Sequence, residues 1–324
     1  MSKQRKLSYL FSILWVAILF AAIMGAVATG VINSYYSGIL VLIGINIILA
    51  VSLNLVTGFL GQLVLGHAGF MSVGAYSAAL FTMHAGLPIS VAFPLGLIFG
   101  GLVAAIFGVI IGVPALRLRG DYLAIITLGF GEIIRVLVLA VDFTGGAAGL
   151  TGIPYIEGKY TLIIYTFFIA FLTVVAILAF IRSRHGRAVI AIREDEIAAE
   201  ASGINTTYYK LLAFVVAAFF AGVAGGIYAH YIGVLDPSKF DFNYSVEILI
   251  MVVLGGMGSI TGSVCSATVL TLLPEMLRSF ADKRMLIYSL VLIIVMLFKP
   301  TGLLGTREFS VRKIVGKLFK EKKK

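Results

Sequence analysis

Three polar side chains, Asn54, Gln62 and His67, lie in a stretch, 7–116, that contains no Asp, Glu, Lys or Arg. The segment around them, "NLVTGFLGQLVLGHAGFMSVGAYSAAL" (54–80), also holds five glycines. Amide and imidazole groups in an apolar segment form hydrogen bonds between helices or line a pathway for a polar solute. Small residues allow close helix packing, and glycine clusters also permit a locally unwound helix inside a membrane protein. The sequence leaves both interpretations open.

A charged pair, Glu132 and Arg135, occurs in the apolar segment "RGDYLAIITLGFGEIIRVLVLA" (119–140). The i, i+3 spacing places both on one helix face, where pairing lowers the cost of holding either charge in lipid. A lone central charge costs about 2.5–3.5 kcal/mol on insertion scales. The pair is therefore a candidate gate or pore element, and a purely structural pair or a position in the headgroup region is the alternative.

Other kinds of chemistry lack the residues they need. The single Cys265 cannot form an internal disulfide, and the four histidines do not have the spacing of a metal site. No nucleophile and base are arranged as in an enzyme, so we predict no catalytic residue and no cofactor. "GKY" and "GKL" lack the glycine and the Ser or Thr of a phosphate-binding loop, so ATP binding by that motif is not expected. The net charge of +10 falls at helix flanks and termini, which indicates lipid headgroups rather than nucleic acid.

The composition predicts an all-α, polytopic integral membrane protein. Hydrophobic residues make up 60% of the chain and charged residues 12%, which leaves too little polar surface for a soluble globule. The apolar windows are 7–28, 38–57, 63–83, 89–113, 121–141, 160–181, 210–232, 246–277 and 285–299. The eighth contains "GGMGSITG" (255–262), which suggests two half-helices or two short spans around a turn. We expect about ten transmembrane helices, or eight plus a re-entrant pair, in one permease-like domain over 1–306.

The distribution of Arg and Lys predicts the orientation. Cytoplasmic loops carry an excess of basic residues, so "RLRGD" (117–121) and "RSRHGRAVIAIRED" (182–195) are assigned to the cytoplasm. Both termini are then cytoplasmic, and "MSKQRK" precedes an uncleaved first helix. By parity the basic segment 278–284 lies outside, which is an exception to the rule. The tail 307–324 carries eight basic and two acidic residues, which predicts an interfacial helix on anionic lipid.

The segment 182–210 has the charge pattern of a helix that docks to a protein. Its basic and acidic side chains nearly cancel, whereas a helix on a lipid surface would be one-sidedly basic. Strong helix formers end at Gly203, which we predict to follow the helix in a left-handed conformation. We interpret 182–210 as a cytoplasmic loop that binds a partner protein, and an ordinary solvated loop helix is the alternative.

Four stretches carry a resemblance to a known family. They are "NLVTGFLGQLVLGHAGFMSVGAYSAAL", "LRLRGDYLAIITLGFGEIIR", "GLTGIP" and "GRAVIAIREDEIAAEASGINTTYYKLLAFVVAAFFAGVAGGIYA", and with "VVLGGMGSITG" added they extend over roughly residues 40–300. Together they resemble the permease subunits of ABC importers for branched-chain amino acids, in particular the longer of the two paired permeases, the LivM type. The resemblance implies an ABC-importer permease fold and translocation by alternating access.

In such importers a cytoplasmic coupling helix with an "EAA"-type signature docks in a cleft of the ATPase. The resemblance places this helix at "EIAAEASG" (196–203), although Ile197 stands where the family usually has Glu and no "LP" follows. The predicted ATPase-coupling residues are Arg193, Glu194, Asp195, Glu196, Ala198, Ala199 and Gly203. The predicted pathway residues are Asn54, Gln62, His67, Glu132 and Arg135.

The resemblance also implies partners and a location. The implied partners are a second permease subunit in a heterodimer, two cytoplasmic ATP-binding subunits and an extracytoplasmic solute-binding protein. The location would be a bacterial or archaeal plasma (inner) membrane, and the substrate a branched-chain or related amino acid. Two alternatives remain: an ABC permease for urea or short amides, and an ion-coupled secondary transporter, which also uses broken helices and buried carboxylates.

Overall fold

The structure, a computed structural model, describes residues 34–118, 120–156, 160–277, 283–299, 302–303 and 305. Within these residues the regular elements are helices, and one isolated antiparallel bridge joins Leu150 to Leu235. The α-helices are α1 (Ser34–Asn54), α2 (His67–His84), α3 (Ile89–Ala115), α4 (Asp121–Ala140), α5 (Thr161–Arg182), α6 (Arg184–Glu194), α7 (Glu196–Ala201), α8 (Thr206–Ile232), α9 (Phe242–Gly255), α10 (Ile260–Met276) and α11 (Arg284–Phe298). The predicted first window (7–28), most of the basic connection 278–284 and the tail 307–324 lie outside the described residues.

Five described helices are long and apolar enough to cross a membrane. They are α1 with its π-helical extension to Phe59, α3, α4, α5 and α8. The chain is therefore an all-helical, multi-pass membrane protein. Helices α9, α10 and α11 have 14, 17 and 15 residues, shorter than an ordinary span. The number of ten transmembrane helices thus stays a prediction.

The long eighth window is interrupted at the glycine-rich motif, as predicted. Helix α9 ends at Gly255, a turn follows over 256–259, and α10 begins at Ile260. The Ser259 hydroxyl caps α10 by accepting a hydrogen bond from the Gly262 amide at 3.1 Å. Helix α9 begins at Phe242, four residues before the predicted window, because Asp241 caps it through the Tyr244 amide at 3.0 Å.

Helix α1 forms the centre of the described bundle. Its apolar window is 89% buried, whereas that of α4 is 22% buried. Helix α1 contacts α5, α8, α9 and α10, which surround it. Helix α4 lies at the periphery of the chain, where lipid or another subunit can cover it.

Helices α2, α3 and α8 form a second group. Glycines bring the backbones of these helices almost into contact. A Cβ atom placed on Gly74 would lie 2.1 Å from the Cα atom of Gly222, and one on Gly100 would lie 2.6 Å from the Gly74 carbonyl oxygen. Such approach requires residues without side chains, as small residues provide in membrane helices. The close helix packing predicted for the glycines of 54–80 is confirmed at Gly74.

Replacing Gly74 with Ala is expected to destabilise the bundle. The added methyl group meets the backbone of α8, which cannot move as a flexible side chain can, so we expect a loss of about 2 kcal/mol or more in unfolding free energy. Gly129→Ala is the matched control, because a Cβ atom there meets no atom within 4 Å. Thermal unfolding of both variants in detergent tests this, and an unchanged unfolding temperature for Gly74→Ala would refute the packing argument.

Candidate functional site

Helices α6 and α7 form a defined structure between the spans α5 and α8. The Ser183 hydroxyl caps α6 by accepting hydrogen bonds from the amides of His185 and Gly186 at 3.1 and 3.3 Å. Asp195 lies at the junction of the two helices, where its Oδ1 atom accepts from the amides of Ile197 and Ala198 at 2.9 and 3.0 Å. The carboxylate of Asp195 is therefore the N-cap of α7.

The C-terminus of α7 confirms the conformation predicted for Gly203. Gly203 has φ +83°, and its amide donates to the Glu200 carbonyl at 2.9 Å while the Ile204 amide donates to the Ala199 carbonyl at 3.1 Å. This pair of hydrogen bonds defines a Schellman motif, in which a glycine follows the helix. The chain leaves α7 in a fixed direction toward α8.

A buried ion pair fixes α7 against the next span. Lys210 Nζ lies 2.8 Å from Glu196 Oε1, and the two side chains are 4% and 22% exposed. Ala199 is buried on the same side of α7. Removing one partner of a buried pair strands the other charge. Glu196 and Ala199 therefore orient α7, in addition to any contact with a partner.

The opposite face of α7 is exposed and carries an apolar side chain. Ile197 is 73% exposed, and Ala198 and Glu200 beside it are also exposed. A six-residue helix between charged residues gives this isoleucine no lipid-like surroundings. The face suits insertion of an apolar side chain into a protein cleft.

Arg193 points away from that face and into the transmembrane part of the chain. Its Nη1 atom donates to the carbonyl of Gly58 at 2.8 Å. Its side chain is 33% exposed, whereas that of Glu194 is 72% exposed, and Arg193 Nε lies 3.9 Å from Glu194 Oε1. Of the two adjacent predicted coupling residues, Glu194 is the more exposed, and Arg193, although partly exposed, directs its guanidinium toward Gly58.

The first polar segment singled out in the sequence is a break between two helices. Helix α1 ends in a π-helical turn, Leu55–Phe59, and residues 61–66 are not helical before α2 begins at His67. The Leu65 amide donates to Thr127 Oγ1 at 3.1 Å, and the Gln62 amide to the Val56 carbonyl at 3.0 Å. These two backbone amides of the break are thus satisfied within the protein.

Asn54 joins this break to the turn between α9 and α10. Its Nδ2 atom donates to the Ser259 carbonyl and to Ser263 Oγ, each at 2.9 Å. Its Oδ1 atom accepts from the Gly258 amide at 2.9 Å. Asn54 is completely buried, so its amide is engaged in holding two irregular segments together.

His67 and Gln62 occupy different surroundings. The His67 ring is buried, and its Nε2 atom lies 2.9 Å from Ser52 Oγ of α1. This contact joins the start of α2 to the helix that precedes the break. Gln62 is half-buried in the extended segment.

Two helix N-termini meet at a cleft near the middle of α4. A Cβ atom on Gly69 would lie 2.9 Å from the Cα atom of Gly131, which is halfway along α4. The Ala68 amide, in the first turn of α2, donates at 3.2 Å to Ser245 Oγ in the first turn of α9. Both helices therefore begin at this level, and their N-termini carry partial positive charge.

The predicted pair Glu132 and Arg135 lies beside these N-termini. Arg135 Nε is 2.7 Å from Glu132 Oε2, and the side chains are 27% and 31% exposed. Glu132 lines the cleft together with Gly69, Asp241 and Ser245. The structure thus brings Glu132 close to the start of α2, while Asn54 and Arg193 belong to the other end of the break.

Three features of the site were not identified from the sequence. They are the inward position of Arg193, the buried partner of Lys210 and the serines that bond to Asn54. No spacing in the sequence signals the serine contacts, because Asn54 bonds to the backbone carbonyl of Ser259 rather than to its side chain. Among the described residues, no group of three or more His, Cys, Asp or Glu side chains could hold a metal ion.

Comparisons with known proteins agree with the resemblance noted in the sequence. Residues 35–299 match the family model described as "Branched-chain amino acid transport system / permease component". The chain is 39% identical to the high-affinity branched-chain amino acid transport system permease protein LivM of Salmonella typhimurium and 38% identical to LivM of Escherichia coli, in each case over 80% of this chain and 68% of the relative. It is 35% identical to the permease protein LivH of Escherichia coli over 43% of this chain and 46% of the relative. No solved structure matches it significantly.

Replacing Asn54 with Ala is expected to destabilise the protein by about 2–4 kcal/mol, because it leaves the buried Gly258 amide and Ser259 carbonyl without this partner. Asn243→Ala is the matched control, since Asn243 is exposed and its loss is expected to change stability by less than about 0.5 kcal/mol. Thermal unfolding in detergent measures both. Equal unfolding temperatures for the two variants would contradict a structural role for Asn54.

Proposed function

The chain belongs to the permease component family of branched-chain amino acid transport systems, and we propose that it is the transmembrane permease subunit of an ATP-driven importer. Its solutes would be branched-chain or related amino acids, moved inward by alternating access. The proposed partners are a second permease subunit, two cytoplasmic ATP-binding subunits and an extracytoplasmic solute-binding protein. The proposed location is the plasma (inner) membrane of a bacterium or archaeon, with both termini cytoplasmic.

The observation that carries this proposal is the construction of α6 and α7. Helix caps and the Schellman motif at Gly203 fix the shape of the loop, and the ion pair between Glu196 and Lys210 attaches one side of it to α8. The other side is free and exposes Ile197. A loop that only connects two spans has no need of such anchoring, whereas a loop that transmits a partner's movement must resist bending.

The proposed mechanism depends on the two faces of this loop, one exposed to a partner and one attached to the spans. When the ATPases close on ATP, they would carry α7 with them, and the anchoring would pass the displacement to α5 and α8. The chain itself lacks the phosphate-binding motif, so ATP binding and hydrolysis belong to the partners. The isoleucine at position 197 would provide the apolar contact in the ATPase cleft, with Glu194 and Glu200 at its rim.

We infer that the solute passes the start of α2 and α9, where alternating access would have to widen the narrow cleft. The N-terminus of α2 favours a carboxylate there, whereas that of α9 is already capped by Asp241. Glu132 and Arg135 offer one charge of each sign beside them. An amino acid carries both charges, and its apolar side chain needs few polar partners. Gln62 would lie along the same route, while Asn54 and His67 would act by holding the break in place rather than by touching solute.

Replacing Ile197 with Asp tests the docking face. Because the side chain is exposed, the variant should fold and insert normally. Association with the ATP-binding subunits should weaken by roughly 10-fold or more, as for a central apolar anchor of an interface. Ile197→Val, which keeps an apolar side chain, is the control. Co-purification and titration of the ATPases in detergent measure the effect, and parent-like affinity of the Asp variant would place the docking site elsewhere.

Cysteine labelling tests the orientation. In a Cys265→Ser background, a single cysteine at Ser202 should react with an impermeant maleimide only from the cytoplasmic side, and one at Ala147 only from outside. Both positions are exposed, so access is decided by the membrane and not by packing. Intact cells and inverted vesicles provide the two sides. The opposite labelling pattern would reverse the proposed topology and put α7 out of reach of a cytoplasmic ATPase.

A further inference from the structure

Arg193 is the side chain through which the α6–α7 loop contacts both irregular segments of the bundle. These segments are the break over 55–66 and the turn over 256–259. Its Nη1 atom donates to the Gly58 carbonyl at 2.8 Å. A Cβ atom on Gly61 would lie 3.0 Å from Arg193 Cγ, and one on Gly258 would lie 3.0 Å from Arg193 Nη1. The stem of Arg193 therefore covers Gly61 while its guanidinium lies between Gly58 and Gly258.

The position of Gly58 explains why a cation is suited to this place. Gly58 belongs to the π-helical turn that ends the helix begun at Ser34. The last carbonyl groups of a helix have no partner within it and carry partial negative charge. A guanidinium supplies both a donor and a positive charge, so the contact with Gly58 is a charge-assisted hydrogen bond.

Asn54 contacts the same turn from inside the bundle. It accepts a hydrogen bond from the Gly258 amide and donates to Ser259 and Ser263. The break, the turn and the end of α6 thus form one hydrogen-bonded unit. A displacement of α6 must either carry this unit along or break the bond between Arg193 and Gly58.

We propose that Arg193 is a positioning residue that transmits movement of the α6–α7 loop to the two helix breaks. It would not be a contact to the ATPase, which is the role its place beside the coupling signature suggested. This inference deepens the proposed function and rests on it, because it assumes that ATP hydrolysis by partner subunits moves the loop. Both the ATPase and the solute would then favour one arrangement of the two breaks over another, which would couple the two sites.

The test compares Arg193→Met with Arg187→Met in the complete importer, reconstituted with its second permease, ATPases and binding protein. Methionine keeps much of the apolar stem and removes the donor. Arg187 is the matched control because it is an exposed arginine of the same helix, α6, and its Nη1 atom donates to the Arg182 carbonyl at 3.3 Å, outside the two breaks. ATP hydrolysis and uptake of radiolabelled leucine are measured in the same proteoliposomes, and their ratio gives the solute moved per ATP.

We expect Arg193→Met to assemble with the ATPases and to hydrolyse ATP, while the solute moved per ATP falls by roughly fivefold or more. Arg193→Lys keeps a positive charge but lacks the planar guanidinium, so it should recover part of that ratio. Arg187→Met should keep the parent ratio. An unchanged ratio in Arg193→Met overturns the inference. Loss of ATPase association by Arg193→Met overturns it as well, because Arg193 would then be a docking contact.

A purely structural role for Arg193 gives a different result. In that case Arg193→Met would lower the unfolding temperature and the amount of assembled importer, while each assembled importer would keep the parent ratio, which again overturns the inference. Failure of the proposed function is seen separately, in the parent. If the reconstituted parent shows no ATP-dependent uptake, the importer assignment fails, whatever the Arg193 variants do.

Discussion

A helix that is interrupted inside a membrane must find partners for its freed backbone groups without the help of water. This chain has two irregular segments between apolar helices among its described residues, at 55–66 and at 256–259. Asn54 meets the requirement for the second segment, because its side-chain amide bonds to the backbone of Gly258 and Ser259, whereas the Leu65 amide of the first bonds to Thr127. Because Asn54 ends the helix that leads into the first segment, its hydrogen bonds hold the two segments next to each other.

Two kinds of packing follow around this contact. Helices α2, α3 and α8 meet through glycines at backbone distance, which leaves little room for sliding. Near the breaks, glycines also meet at backbone distance, as Gly58 and Gly258 do, but hydrogen bonds from the side chains of Asn54 and Arg193 to backbone groups are added there. The α6–α7 loop is attached to both kinds of structure, through Lys210 in α8 and through Arg193 at the breaks. That attachment is the physical basis for the proposed transmission of movement.

Local pattern predicted a large part of this arrangement. Gly203 at the end of α7, the interruption of the eighth window and the close packing of Gly74 are all confirmed, because each depends on conformational or steric properties of a few neighbouring residues. The hydrogen-bond partners of the buried polar residues could not be predicted from the sequence. Asn54 bonds to residues more than 200 positions away, and no periodicity reports such a contact. The direction of Arg193 was missed because its charge was read together with that of Glu194, although consecutive residues on a helix point to different sides.

The central claim is that this permease moves amino acids with energy from partner ATPases through the α6–α7 loop. The most direct measurement is uptake of radiolabelled leucine into proteoliposomes that contain the chain with its second permease, ATP-binding subunits and binding protein, with ATP present or absent and with ion gradients collapsed by ionophores. The account predicts leucine accumulation that requires ATP and the ATP-binding subunits and persists without ion gradients. Accumulation driven by a proton or sodium gradient in the absence of the ATP-binding subunits would contradict it.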